Sequence, residues 1–218
     1  YALAIIILFF ILLQINWLIR DNTPIRWDES WNLLVSNYYY NSFIGNEELS
    51  YDSMESLYSY FRYGSYYPPF FKVASIPLYL IFGFSPDIAT ITNLIFYIVL
   101  ILSVFFITKK IVSSEAGLLA CFLVSTIPYL IGLSRFYLLD FSFISMTLLG
   151  IAIFINSENF KNRKYSITFG IVFGLGMLTR INYFLILGPT ILFMILLYSL
   201  KLKWSLNQTK NLIFSALF

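Results

Sequence analysis

The sequence predicts an all-α fold: a multi-pass transmembrane helical bundle with juxtamembrane helices in its first non-cytoplasmic loop. Three observations predict it. Charged residues make up 11% of the chain, against roughly 25% in a soluble domain. Hydrophobic residues make up 59% and the mean hydropathy is +0.79, which is more apolar surface than a water-facing exterior can hide. The apolar residues also run unbroken, as in residues 2–19. Lipid offers no partner to an unpaired backbone group, so such runs must be helices. A membrane β-barrel would show short alternating segments instead.

A span needs roughly 20 apolar residues. Six stretches qualify or come close, at 2–19, 88–108, 115–133, 138–155, 166–180 and 183–200, and a seventh begins near 211. Residues 2–19 lack the basic leader and small-residue cleavage site of a signal peptide, so a retained helix is expected. The fifth stretch reaches span length only by taking in Lys164 and Tyr165. With apolar runs at both chain ends, the expectation is that residues 1–218 are the N-terminal part of a longer transmembrane domain.

The first loop covers about 20–87. Within it, residues 28–43 place Trp31, Leu34, Val35, Tyr38 and Tyr39 at helical spacing, which predicts a helix lying on the membrane surface. Its aromatics suit that interface. Residues 44–66, rich in Gly, Ser and Tyr, read as looser. Segment 70–83 is short for a span and carries Lys72 and Pro77, so an interfacial or re-entrant segment is expected. The connections 109–114, 156–165 and 201–210 then share one side. They hold eight of the fourteen basic residues, which places that side in the cytoplasm. The opposite side gathers Asp28, Glu29, Arg62, Lys72, Arg135, Asp140 and Arg180. Ionisable groups at the membrane edge are functional candidates by default.

Each candidate has an ordinary reading beside the chemical one. Asp28 and Glu29 are flanked by Trp27 and Trp31. Neighbouring carboxylates point different ways on a helix, so one can serve as general base on a hydroxyl while the other orients it. Acidic residues also favour a helix's first turn for structural reasons alone. Lys72 could simply snorkel to the headgroups, and Pro68 and Pro69, after Tyr67, could simply separate two elements. Arg135 and Asp140 could pair to close a short turn. Alternatively, Arg135 could face a phosphate, which its forked donors suit, while Asp140 orients a substrate group. Arg180 ends a helix, where a cation is mildly favourable. Gly170 and Gly174 permit close helix packing. The chain has no histidine and one cysteine, Cys121, which excludes His-based acid–base chemistry and an internal disulfide. The net charge of +3 carries no nucleic-acid footprint.

The order of these pieces resembles a known group. An Asp-Glu pair follows the first span. Tyr67, Pro68 and Pro69 precede an aromatic segment ending in Phe82 and Gly83, and a helix closes on Lys109 and Lys110. SRFYLLDFSFISMTLLGIAIF then runs from Ser134, and GLGMLTRINYFLILGP from Gly174. This pattern is similar to the GT-C glycosyltransferases, in particular the protein O-mannosyltransferase and aminoarabinose transferase group. The resemblance implies a multi-pass enzyme that moves a sugar from a polyprenyl-phosphate donor to an acceptor hydroxyl on the periplasmic or extracellular face. It implies Asp28 as the catalytic base, with Glu29 beside it. It implies Arg135, Arg180 and Lys72 as contacts to the donor phosphate, and Asp140 and Tyr67 as substrate-orienting. Many relatives have lysine in place of Arg180, and often histidine in place of Tyr67. The leaving group is already a lipid phosphate, so no strong general acid is needed. No metal or other cofactor is expected, although the scheme would admit a divalent ion. A multi-pass transporter or lipid flippase is the alternative.

Overall fold

The computed structural model describes residues 1–44, 67–201 and 205–216, and the described residues are helical with short connections. The expectation for residues 45–66, including Arg62, lies outside them, as does Lys203. The elements are α1 (Ala2–Arg20), α2 (Trp27–Phe43), α3 (Phe70–Val73), α4 (Ile76–Phe82), α5 (Pro86–Ile111), α6 (Ser114–Ser125), α7 (Pro128–Ser134), α8 (Leu139–Asn156), α9 (Arg163–Met177), α10 (Asn182–Lys201) and α11 (Leu206–Ala216).

Local chemistry sets most boundaries. Ser85 caps α5 by accepting from Ile88 N at 3.2 Å, with Pro86 in the first turn and Lys109 and Lys110 in the last. This is the expected charge order for a helix dipole. Ser113 caps α6 through Ala116 N, and Asn162 caps α9 through Lys164 N. α4 stops at Gly83, whose φ of 81° is costly for a residue with a Cβ.

α5 is the central post. At 26 residues it is about 39 Å long, ample for a hydrocarbon core of roughly 30 Å. α8 and α6 pack along it, α9 and α10 pack on α8, and α1 leans on α5 and α6. The core is aromatic: Phe71 lies 4.6 Å from the Tyr137 ring and 5.8 Å from Phe96. Tyr183 is fully buried where it passes Gly150 and Gly176; a Cβ on either glycine would overlap its ring or hydroxyl. Outward faces stay apolar, with Ile5, Leu8, Phe9 and Leu12 exposed on α1 and Leu185, Leu192 and Phe193 on α10. A bilayer supplies the apolar solvent that such faces need.

The spans differ from expectation in detail. α1, α5 and α8 are each long and apolar enough to cross a membrane. The expected span 115–133 is instead two helices bent by 66° between Ser125 and Pro128. Pro128 has no N–H for a continuing helix, and it drives Ile127 to an extended φ/ψ of −67°/116°. α9 starts at Arg163 and so takes in Lys164 and Tyr165, but at 15 residues it stays short of the expected span. Segment 70–83 forms the two short helices α3 and α4, which pack on α2 and α5. The helix expected near 211 begins at Leu206, docks on the loop before α9 and runs beside it. Asn211 Nδ2 donates to Phe160 O at 2.7 Å, and Ser215 lies against Gly170.

Candidate active site

The connection from Arg135 to Leu138, between α7 and α8, is the junction of the candidate residues. Its backbone leaves regular helix here, so the peptide groups of Tyr137 need other partners. α2 supplies them. Tyr137 N donates to Glu29 Oε1 at 2.9 Å, and Asn32 Nδ2 donates to Tyr137 O at 3.2 Å. Glu29 Oε2 also accepts from Arg26 N at 3.3 Å, closing the N-terminus of α2, and the Arg26 guanidinium sits 4.0 Å over the Phe136 ring. From the other side, Asn93 Nδ2 donates to Ser134 O and Phe136 O.

The Tyr137 side chain enters a buried hydroxyl cluster in which Ser36, Ser75, Tyr79, Thr92 and Tyr137 all have no exposed surface. Each hydroxyl has one proton to give, which orders the chain. Thr92 donates to Ser75, Ser75 to Tyr137 and Tyr137 to Ser36, while Ser36 accepts from Tyr79 as well and gives its own proton to Lys72 O. Burial pushes the Tyr79 and Tyr137 hydroxyls above their usual range, so both remain protonated donors. The cluster joins α2, α3, α4 and α5 to the α7–α8 connection.

The face of α2 that meets the protein is largely polar, which leaves part of the apolar stripe facing outward. Glu29, Asn32 and Ser36 are buried along with Val35 and Tyr39, whereas Trp31, Leu34 and Tyr38 are exposed. Hydrogen bonding to Tyr137, absent from any periodicity count, turns the polar stripe inward.

The candidate charges fall in three places. Asp28 is exposed at the first turn of α2, and among the described residues no ion pair involves it. Arg135 faces α1, where its Nε donates to Gln14 Oε1 at 3.2 Å and its guanidinium lies 4.8 Å over the Trp17 ring. It lines a shallow groove with Gln14, Trp17, Leu18, Thr90 and Leu94, and Gln14 Nε2 also bonds Ser134 Oγ. Asp140 does not pair with Arg135 across the turn. It takes Arg180 Nη1 at 2.6 Å, and the Arg180 guanidinium lies 5.4 Å from the Tyr67 ring and 5.6 Å from Phe143. Arg180 Nε is buried without a hydrogen-bond partner among the described residues. Phe70 N donates to Leu178 O at 2.9 Å, which ties the Pro-Pro segment to the end of α9.

Lys72 does not snorkel. Its side chain is fully buried, and burial lowers its pKa to about 8. Thus Arg180, Asp140 and Tyr67 come together, Asp28 and Glu29 are linked to the same turn through α2, and Arg135 stands on that turn's α1 side. Gln14, Asn93 and Thr92 went unread in the sequence. Their signal was there, since polar side chains inside apolar runs need a partner. Among the described residues no group of three or more His, Cys, Asp or Glu could hold a metal ion.

Comparison with known proteins adds one match. The sequence profile of the dolichyl-phosphate-mannose-protein mannosyltransferases matches residues 67–218, more than half of the chain. Neither the curated proteins nor the solved structures provide a match.

Proposed function

This chain belongs to the dolichyl-phosphate-mannose-protein mannosyltransferase family, a membrane glycosyltransferase drawing on a polyprenyl-phosphate sugar donor, and on that premise we propose how its residues divide the work. The transfer goes to an acceptor hydroxyl on the non-cytoplasmic face. The Asp28 carboxylate takes the hydroxyl proton as the acceptor oxygen attacks the anomeric carbon. The bond from that carbon to the phosphate oxygen breaks, and its electron pair stays on the lipid phosphate. Arg180 and Arg135 hold the phosphate as its charge grows, Arg being suited to this by its forked donors, while Lys72, whose side chain is fully buried, does not reach it. Asp140 aligns Arg180, and Tyr67 flanks the guanidinium. The scheme calls on no metal.

The observation that carries this reading is the single junction between α7 and α8. It touches α2 next to Asp28 through Glu29 and α9's end through the Asp140–Arg180 pair, so a proton acceptor and phosphate-binding cations share one framework. The 66° break between α6 and α7 favours a transporter as the second reading, since broken helices form transport sites. The deciding experiment follows sugar from a labelled polyprenyl-phosphate donor in membranes containing the full-length protein. Wild type transfers sugar and Asp28→Asn, equally expressed, does not. A mutant that matches wild type removes Asp28 from the reaction. A wild type that releases no sugar from any donor moves the transporter ahead.

A further inference from the structure

We propose that Glu29 and Asn32 are positioning residues for sugar transfer, holding the backbone of Tyr137 so that Asp28 keeps a set distance from the turn bearing Arg135 and Asp140. The inference rests on Asp28 being the base.

The geometry argues against Glu29 touching substrate. Only 7% of its surface is exposed, and its two oxygens already accept from Tyr137 N and Arg26 N. Asn32, one turn further along the same face, is 5% exposed and takes the carbonyl of the same residue. Ser36, two turns along, takes the Tyr137 hydroxyl. One stripe of α2, at positions i, i+3 and i+7, thus meets the N–H, the C=O and the O–H of a single residue. Asp28 immediately precedes Glu29, so its backbone is held relative to the turn while the N–H and C=O of Tyr137 are engaged. A displaced base matters because misplacement by about 1 Å can cost about 100-fold in rate.

Full-length wild type, Glu29→Gln, Glu29→Ala, Asn32→Ala and Asp28→Asn are compared in membranes. Three quantities are read: kcat per folded molecule with the labelled donor, the pH profile of kcat, and hydrogen exchange of the peptide containing the Tyr137 amide. Glutamine keeps one acceptor oxygen for Tyr137 N. Glu29→Gln is therefore expected to transfer sugar at a severalfold lower kcat, with the wild-type pH profile and a protected Tyr137 amide. Glu29→Ala and Asn32→Ala are expected to lose about 100-fold in kcat, with faster exchange at Tyr137. Should an alanine variant fail to fold, Glu29→Gln still decides. If it is as inactive as Asp28→Asn while Tyr137 stays protected, Glu29 takes part in the chemistry and the proposal is overturned. Alanine variants with wild-type kcat overturn it from the other side, reducing the contacts to fold stability. A wild type that transfers nothing, yet protects Tyr137, shows that the glycosyltransferase reading failed while the contacts are real, and the positioning role falls with that reading.

Discussion

Asp28 and Glu29 are neighbours with opposite surroundings. One is exposed with no ion pair among the described residues, the other buried with both oxygens engaged. The same contrast separates Arg180 from Lys72. Arg180 keeps part of its surface open beside Asp140. Replacing it by Lys preserves the charge but removes the fork, so donor KM should rise about tenfold, the cost of one charge-assisted hydrogen bond; initial rates against donor concentration check this. Lys72 is buried, and its pKa falls from 10.5 to about 8. Below pH 8 the ammonium is charged in folded and unfolded chains alike, and the full cost of burying it is present. Between pH 8 and 10.5 the folded chain has shed the proton while the unfolded chain holds it, so stability rises with pH across that window. Thermal unfolding of detergent-solubilised protein should show the rise, and Lys72→Met should remove it.

Among the elements, α2 and α9 show how far pattern reading goes. The Trp31-to-Tyr39 spacing correctly marked a helix in the first loop, but hydrophobicity could not say which side would meet the protein. The Gly170/Gly174 spacing in α9 predicts close helix packing. Gly170 does receive a neighbour's backbone at Ser215, while Gly176 makes room for the Tyr183 ring. Tyr183 is pinned on its far side by its hydrogen bond to Met146 O at 3.1 Å, so the ring has little freedom to retreat. Gly176→Ala should therefore overpack the α8–α9–α10 contact and destabilise by about 1–3 kcal/mol, read as a lower unfolding temperature. A Gly132→Ala control, where a Cβ meets nothing, should leave it nearly unchanged.

Across the whole molecule, the arrangement implies two faces. Lys109, Lys110 and the loop before α9 lie at one end, where Lys110 pairs with Glu158 at 2.9 Å. Asp28, Asp140 and Arg180 belong to the other. By the positive-inside rule, we propose that the first end faces the cytoplasm. A cysteine at Val112 and one at Thr23, both exposed positions, should react with a membrane-impermeant thiol reagent from opposite sides. The native Cys121 is buried and should stay silent. Labelling of both from one side would reverse α1 relative to α5 and separate Asp28 from Arg180.

The sequence by itself determined the class and the approximate helices. These are local properties: apolar run length and a Lys pair at a helix end. It also pointed to the family, since motif order along the chain needs no coordinates. Tertiary structure alone decided that Asp140 chooses Arg180 over Arg135, and that Glu29 turns inward to Tyr137, 108 residues away. A polar side chain settles where the opposing backbone leaves a group unpaired. That location exists only after the helices have packed, so no count along the chain can reveal it.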